Sequence, residues 1–262
     1  VIVDDEWGTP VSLDKLEDCL KNNPDTKVVA FVHAETSTGV RSDAKEIAEI
    51  SKKYGCLVIA DTVTSFTGIP VLTDDWGLDA VYSGSQKCLS CVPGLSPLTF
   101  SEKAIKKITS RGTKIQSWFL DQTLVLDYWS GTGKRSYHHT APVNSIYALH
   151  EALRLACDET LENLWQRHLS AHLRLKKGLD EMSFDFVVDK DYRLPQMNSI
   201  HIPEGYNDLE IRTKLLNDYN LEIGAGLGKF SEKIWRIGLM GFNASNESVD
   251  YCLDSLKNVL NK

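Results

Sequence analysis

Apolar residues recur along the first half of this chain in two alternating rhythms. Leu13, Leu16 and Leu20 follow helical spacing behind Ser12, which can cap the helix, and Asn22-Asn23-Pro24 ends it. Lys27 to His33 (KVVAFVH) is a short continuous apolar run and predicts a buried strand, closed by the polar turn Ala34-Glu35-Thr36-Ser37-Thr38-Gly39. A second helix is predicted from a cap near Ser42, with Ile47, Ile50 and Tyr54 on one face and Gly55 as its stop. Cys56 to Ala60 is the next strand, Ala80 to Ser83 a shorter one, and Leu98 to Phe100 a further candidate. Strand, helix and strand in that order predict parallel βαβ units with right-handed crossovers, an α/β fold.

The rhythm changes near Asn144. From there to Met182 a helical pattern dominates, with Ile146, Leu149, Leu153, Leu164, Leu173 and Leu179 among its apolar positions, and its spacing slips at Asp158-Glu159-Thr160. Strand-like pieces follow at Phe184–Val188, Ser199–Ile202, Glu222-Ile223 and Ile234–Leu239, interleaved with helical patterns over Asp208–Tyr219 and Glu247–Leu260. The expectation is a larger domain over residues 1–158 with a mostly parallel sheet, and a smaller α+β domain over 159–262.

Composition narrows the partners more than the fold. The chain of 262 residues has 42% hydrophobic and 25% charged residues, ordinary for a globular protein. A formal net charge of −7 leaves no basic surplus to neutralise nucleic-acid phosphates. No apolar run approaches the roughly 20 residues needed to span a bilayer. The six cysteines are scattered rather than arranged as a disulfide framework, which fits reduced, intracellular protein. Cys88 and Cys91 have CxxC spacing, but no second pair or neighbouring His completes a four-ligand zinc site, so no metal is expected.

The chemistry concentrates in two places. Cys56-Leu57-Val58-Ile59-Ala60-Asp61 puts a carboxylate at the end of one apolar strand, and Ser83-Gly84-Ser85-Gln86-Lys87 puts an amine just after another. In a parallel α/β sheet such strand ends open into the crevice where ligands bind. Taken singly, Lys87 reads as a solvated surface lysine and Asp61 as a strand-end turn residue. Together they suit pyridoxal phosphate (PLP), which needs an amine for its aldehyde and a carboxylate opposite its ring nitrogen. An amine held among uncharged neighbours is also a competent nucleophile toward a carbonyl.

Asp61-x-x-x-Ser65 with Tyr82-Ser83-Gly84-Ser85-Gln86-Lys87 resembles the class V PLP-dependent aminotransferases, and within them the alanine–glyoxylate/serine–pyruvate enzymes. His33-Ala34-Glu35-Thr36-Ser37-Thr38-Gly39-Val40 is similar to that family's HGESSTGV loop, Tyr137-His138-His139-Thr140 to its YHHT segment, and Arg236-Ile237-Gly238-Leu239-Met240-Gly241 to its RIGLLG strand. The resemblance implies fold type I and a Schiff base between Lys87 and PLP, Lys87 then carrying the proton between substrate and cofactor. By the same resemblance Asp61 pairs with the ring nitrogen, Val63 packs on a ring face, Thr36 lies near the phenolic oxygen, and Gln86 binds the phosphate. Tyr137 and Thr140 are expected to reach the phosphate of a neighbouring subunit's cofactor, which implies a homodimer. Arg236 is expected to clamp the substrate carboxylate, for which a planar bidentate donor is suited. His138 and His139 read as packing residues.

Ala34 and Thr36 stand where the family has Gly and Ser, and Cys88 to Val92 form a more cysteine-rich segment than the family carries after its lysine. Cys88 and Cys91 lie too near Lys87 to act as the mobile-loop nucleophile of cysteine desulfurases. The chain opens at Val1 in apolar sequence, and the family's phosphate cup and ring-stacking aromatic find no counterpart here, so an upstream segment is expected and the chain alone is expected to be a poor enzyme. Transamination from alanine or serine to glyoxylate or pyruvate is the expected activity. The alternatives are a structural remnant, or a related PLP enzyme such as a kynureninase or hydroxykynurenine transaminase. The ending Leu260-Asn261-Lys262 is not a peroxisomal signal, so cytoplasm is the default, with peroxisome and mitochondrion left open.

Overall fold

The computed structural model describes residues 1–129 and 136–260; Asn261 and Lys262, part of the ending read for targeting, lie outside the described residues. In chain order the elements are α1 (Leu13–Asn22), β1 (Val28–Val32), β2 (Ala34–Glu35), β3 (Val40–Arg41), α2 (Ala44–Lys53), β4 (Leu57–Asp61), α3 (Thr73–Trp76), β5 (Ala80–Tyr82), β6 (Leu98–Phe100), α4 (Glu102–Thr109), α5 (Gln122–Trp129) and α6 (Val143–Glu159). They are followed by α7 (Leu161–Glu181), β7 (Met197–His201), α8 (Asp208–Tyr219), β8 (Gly224–Ala225), β9 (Ile234–Gly238) and α9 (Asn246–Leu260). No helix among the described residues is long and apolar enough to cross a membrane.

Local chemistry accounts for the helix starts. Ser12 Oγ accepts the Lys15 amide and Asp43 Oδ1 the Glu46 amide, each satisfying a donor that the first turn leaves open. The α2 cap is therefore Asp43, one residue beyond the expected Ser42. α1 buries Leu16 and Leu20, and α2 buries Ala44, Ile47, Ala48 and Ser51 against the sheet. Thr160 (φ 71°) ends α6 and caps α7, accepting the Asn163 amide, so the expected slip of the long pattern is a true break.

The first sheet has the order β1-β4-β5-β6. β1, β4 and β5 are parallel, and β6 returns antiparallel to β5. The C-terminal ends of the parallel strands, at Val32, Asp61 and Tyr82, lie side by side. Buried Asp79 ties the opposite end, accepting the Val58 amide at 2.9 Å and the Ser101 hydroxyl at 2.8 Å. The second sheet, β7-β9-β8, is antiparallel. It packs with α7, α8 and α9 around Leu175, Leu179, Ile200, Leu215, Trp235 and Leu256. Trp235 is fully buried, and its indole N–H is satisfied by Asp208 at 2.9 Å.

Three expectations need correction. The run at 27–33 is not a buried strand: β1 is an edge, and Val28 and Val32 are 45% and 39% exposed beside an open groove of about 630 Å³. Phe184–Val188 forms a single bridge, Phe186 to Ile200, rather than a strand. Arg193 lies over the Phe186 ring at 4.2 Å and takes the Val188 carbonyl at 2.7 Å, occupying a backbone acceptor that a ladder would use. The last short strand falls at Gly224–Ala225 rather than Glu222-Ile223.

His33 follows β1, buried, with its amide on the Asp61 carbonyl at 2.9 Å, its ring edge-on to Trp76 and its Nδ1 without a partner among the described residues. Burial, with the Arg41 charge adding to it, pushes the imidazole down from 6.5 to about 4, so it folds neutral. Between those two values the unfolded chain binds a proton that the folded chain refuses. Stability contributed here is therefore present above pH 6.5 and lost as the pH falls toward 4, by about 3 kcal/mol. Urea unfolding of wild type and His33→Phe between pH 7 and pH 4.5 checks this: the variant is expected to lose stability much less steeply.

Candidate active site

The site is built on the C-terminal edge of β4 and β5. Asp61 ends β4, and the chain turns at once, so the Val63 amide donates back to Asp61 Oδ1 at 2.8 Å. Tyr82, opposite Asp61 in the parallel register, donates its hydroxyl to Oδ2 at 2.8 Å. Tyr82 is 39% exposed, and partial desolvation of its hydroxyl, then the hydrogen bond to Asp61, push the phenol up to about 12. Thr62 doubles the strand contact: both its amide and its hydroxyl reach the Tyr82 carbonyl.

Beyond Tyr82 the chain enters a tight turn through Gln86 and Lys87. A Cβ on Gly84 would lie 2.7 Å from the Gln86 carboxamide, so this close fold of the side chain over the backbone suits glycine. Gln86 is exposed and Lys87 half-buried; among the described residues no hydrogen bond or ion pair engages the Lys87 amine. The turn is fixed downstream instead. Ser90 (φ 56°) donates its amide to the Lys87 carbonyl at 2.9 Å, and its hydroxyl accepts the Phe242 amide at 2.8 Å. Gly241 packs against it, held at its N–H by His168 Nε2 at 3.0 Å and at its carbonyl by Arg167. His168 Nδ1 lies 2.7 Å from the Leu164 carbonyl, so the ring is the neutral tautomer protonated at Nδ1. Cys88 is buried with its sulfur toward the Thr64 carbonyl, and burial pushes its thiol up to about 12, which removes it as a nucleophile.

The hairpin β2–β3 delivers Thr36. Arg236, on β9, spans from the Ala225 carbonyl (Nε, 2.7 Å) to the Thr36 carbonyl (Nη1, 3.0 Å). Burial pushes the guanidinium below its ordinary value, with Glu35 acting in the opposite sense. Thr36 and Arg236, 200 residues apart in sequence, thus meet. Tyr137 and Thr140 also meet, hydroxyl to hydroxyl. Between them His138 is buried, stacked on Trp118 at 4.1 Å and shared with the Trp118 carbonyl and His139. No hydrogen bond or ion pair among the described residues joins the Tyr137–Thr140 pair, the Thr36–Arg236 pair and the Asp61–Val63 turn to one another.

Sequence reasoning gave no role to Tyr82, Gln196 or Arg167. Tyr82 could have been found, because it ends the strand next to Asp61. Gln196 left no signal: fully buried, it donates to the Thr64 carbonyl at 2.9 Å across 132 residues.

A family model described as Aminotransferase class-V matches residues 3–250. The chain belongs to the class V aminotransferases. Among curated proteins this class V chain is 39% identical over 255 residues to the alanine–glyoxylate aminotransferase of Mus musculus, and 34% identical over 274 residues to the (S)-ureidoglycine–glyoxylate transaminase of Bacillus subtilis. These matches cover 97% of the chain and 61% and 65% of the relatives' own length. Its backbone superposes on the crystal structure of an alanine–glyoxylate aminotransferase from Nostoc sp. with a TM-score of 0.94 at 44% identity, covering 98% of this chain and 68% of that one. The fold is that of the fold type I PLP-dependent enzymes, α/β with a mainly parallel central sheet.

Gly39 closes the hairpin at φ +82°, where a Cβ would lie 2.6 Å from the Met197 carbonyl. Gly39→Ala in this class V chain is therefore expected to lower stability by about 2 kcal/mol or more and to displace Thr36 from Arg236. Thermal unfolding, with the crystal structure of the variant, checks both.

Proposed function

We propose that the class V enzyme containing this chain transfers the amino group of alanine or serine to a small 2-oxo acid, glyoxylate or pyruvate, with PLP as cofactor. The observation that carries the reading is the carboxylate of Asp61 at the end of β4 and, in the turn after the adjacent parallel β5, the amine of Lys87, which no hydrogen bond or ion pair engages among the described residues. The names of the relatives support the glyoxylate acceptor. The donor set fits PLP: an anchored carboxylate for a ring nitrogen, an amine for an aldehyde and, at Gln86, an exposed carboxamide for a phosphate. Bound PLP supplies the electron-accepting ring that makes the substrate Cα–H acidic.

The chain's own residues do the rest. Lys87 would hold the cofactor and would move the proton at the substrate Cα. Asp61 would hold the ring nitrogen protonated, and Val63 and Thr36 would help to hold the ring. Arg236 binds the substrate carboxylate; two of its donors are tied to the Ala225 and Thr36 carbonyls, which fixes the guanidinium plane and leaves its other N–H groups to orient substrate.

Tyr137 and Thr140 would help to hold the cofactor phosphate of a second subunit. A homodimer is supported by the surface they border: α5 and α6 bury no residue, and Trp118, Phe119, Trp129 and Tyr147 are 57%, 58%, 67% and 72% exposed. The reading includes two units, 1–158 and 159–262. The core of Leu175, Trp235 and Leu256 lies wholly in the second, and the clusters around Val58 and Ile47 wholly in the first.

Borohydride reduction after PLP addition is expected to fix the cofactor on the peptide carrying Lys87, and Lys87→Ala to abolish both this label and glycine formation from alanine and glyoxylate. A label on another lysine, or undiminished transamination in the variant, would sink the mechanism; no uptake of PLP would favour a structural subunit. Tyr147→Asp is expected to shift the protein toward monomer in sedimentation equilibrium, and an unchanged mass would remove α6 from the interface.

A further inference from the structure

Asp61 and Tyr82 are register partners on adjacent parallel strands, and partners in register point to the same face of the sheet. That pairing, rather than chance approach, brings the phenol to the carboxylate. Oδ1 receives the Val63 amide and Oδ2 the Tyr82 hydroxyl, both at 2.8 Å, so the group is held from two sides. One donor comes from two residues further along the same chain and the other from the next strand. A carboxylate has about four lone-pair positions, so two donors fix its plane and still leave room for a third.

We propose that Tyr82 is a positioning residue for Asp61: its hydroxyl sets the plane of the carboxylate and hence the direction from which it accepts a protonated ring nitrogen. The inference rests on the PLP reading above and adds to it a residue that acts through Asp61. Without the phenol, Asp61 keeps the Val63 bond but gains freedom to rotate about its terminal torsion, where the energy profile is broad. The raised phenol agrees with this contact, because Asp61 is the charged group acting on it.

Tyr82→Phe removes the hydroxyl and keeps the ring. PLP titrated into the variant is expected to bind about tenfold more weakly than into wild type, as one charge-assisted hydrogen bond is lost. The pH midpoint of the cofactor's visible absorbance band is expected to move as well, while the thermal unfolding midpoint stays close to that of wild type. Unchanged affinity together with an unmoved band overturns the proposal. A second measurement needs no cofactor. NMR titration of ring-labelled tyrosines should show a phenol titrating near 12 that is absent in Tyr82→Phe and falls in Asp61→Asn. If wild type takes up no PLP, the cofactor reading fails, and this titration still decides the contact: a Tyr82 phenol indifferent to Asp61→Asn overturns it.

Discussion

The parallel pairing of β4 with β5 is the constraint on which the rest of the site depends. Side chains alternate across a strand, so slipping the register by one residue would turn Asp61 to the other face and carry the Lys87 turn with β5 to a new height. The register is locked at both ends. Asp79 bonds the Val58 amide and the Ser101 hydroxyl at one end, and Thr62 grips the Tyr82 carbonyl with two donors at the other. Polar groups inside a sheet are costly when unpaired, so the three of these bonds that join β4 to β5 oppose a slip more strongly than the apolar contacts of Val58, Ala60 and Val81, which tolerate small shifts.

The second sheet is brought to that edge by contacts of a different kind, made between backbone carbonyls and side chains from distant parts of the chain. Arg236 reaches Thr36, Gln196 reaches Thr64, and Gly39 admits the Met197 carbonyl at a distance that a side chain would forbid. Ser90 and Gly241 complete the join below Lys87. Apart from the two tied donors of the Arg236 guanidinium, these contacts act on the loops that carry the candidate residues rather than on their functional atoms. They can hold geometry while leaving the amine of Lys87 and part of the Arg236 guanidinium available.

Much of the arrangement was legible because local rules and tertiary demands agree. Ser12 caps a helix whose Leu16 and Leu20 are buried, and the slip at Asp158-Glu159-Thr160 became a break because Thr160 takes a positive φ that no helix continues through. The ordered motifs around Asp61, Lys87, Tyr137 and Arg236 led to the class V family. What the sequence could not disclose were relations with no local period. The KVVAFVH run has the composition of a central strand, and only the sheet order reveals it as an edge. Phe184–Val188 reads as a strand until Arg193 claims one of its carbonyls. The bond between Tyr82 and Asp61 follows from register, which a list of motifs does not contain.

The edge position of β1 has a consequence for handling as well as for architecture. An outermost strand offers a row of backbone donors and acceptors on its open side, and in β1 these run beside the half-exposed Val28 and Val32 and an apolar groove. Lysines, prolines and bulges are the usual guards of such an edge, and the segment VVAFV contains none of them. Its low charge and high β-propensity are instead those of a strand that templates its own kind. Among the described residues, the open side of β1 is therefore the backbone edge best suited to pair with a further strand.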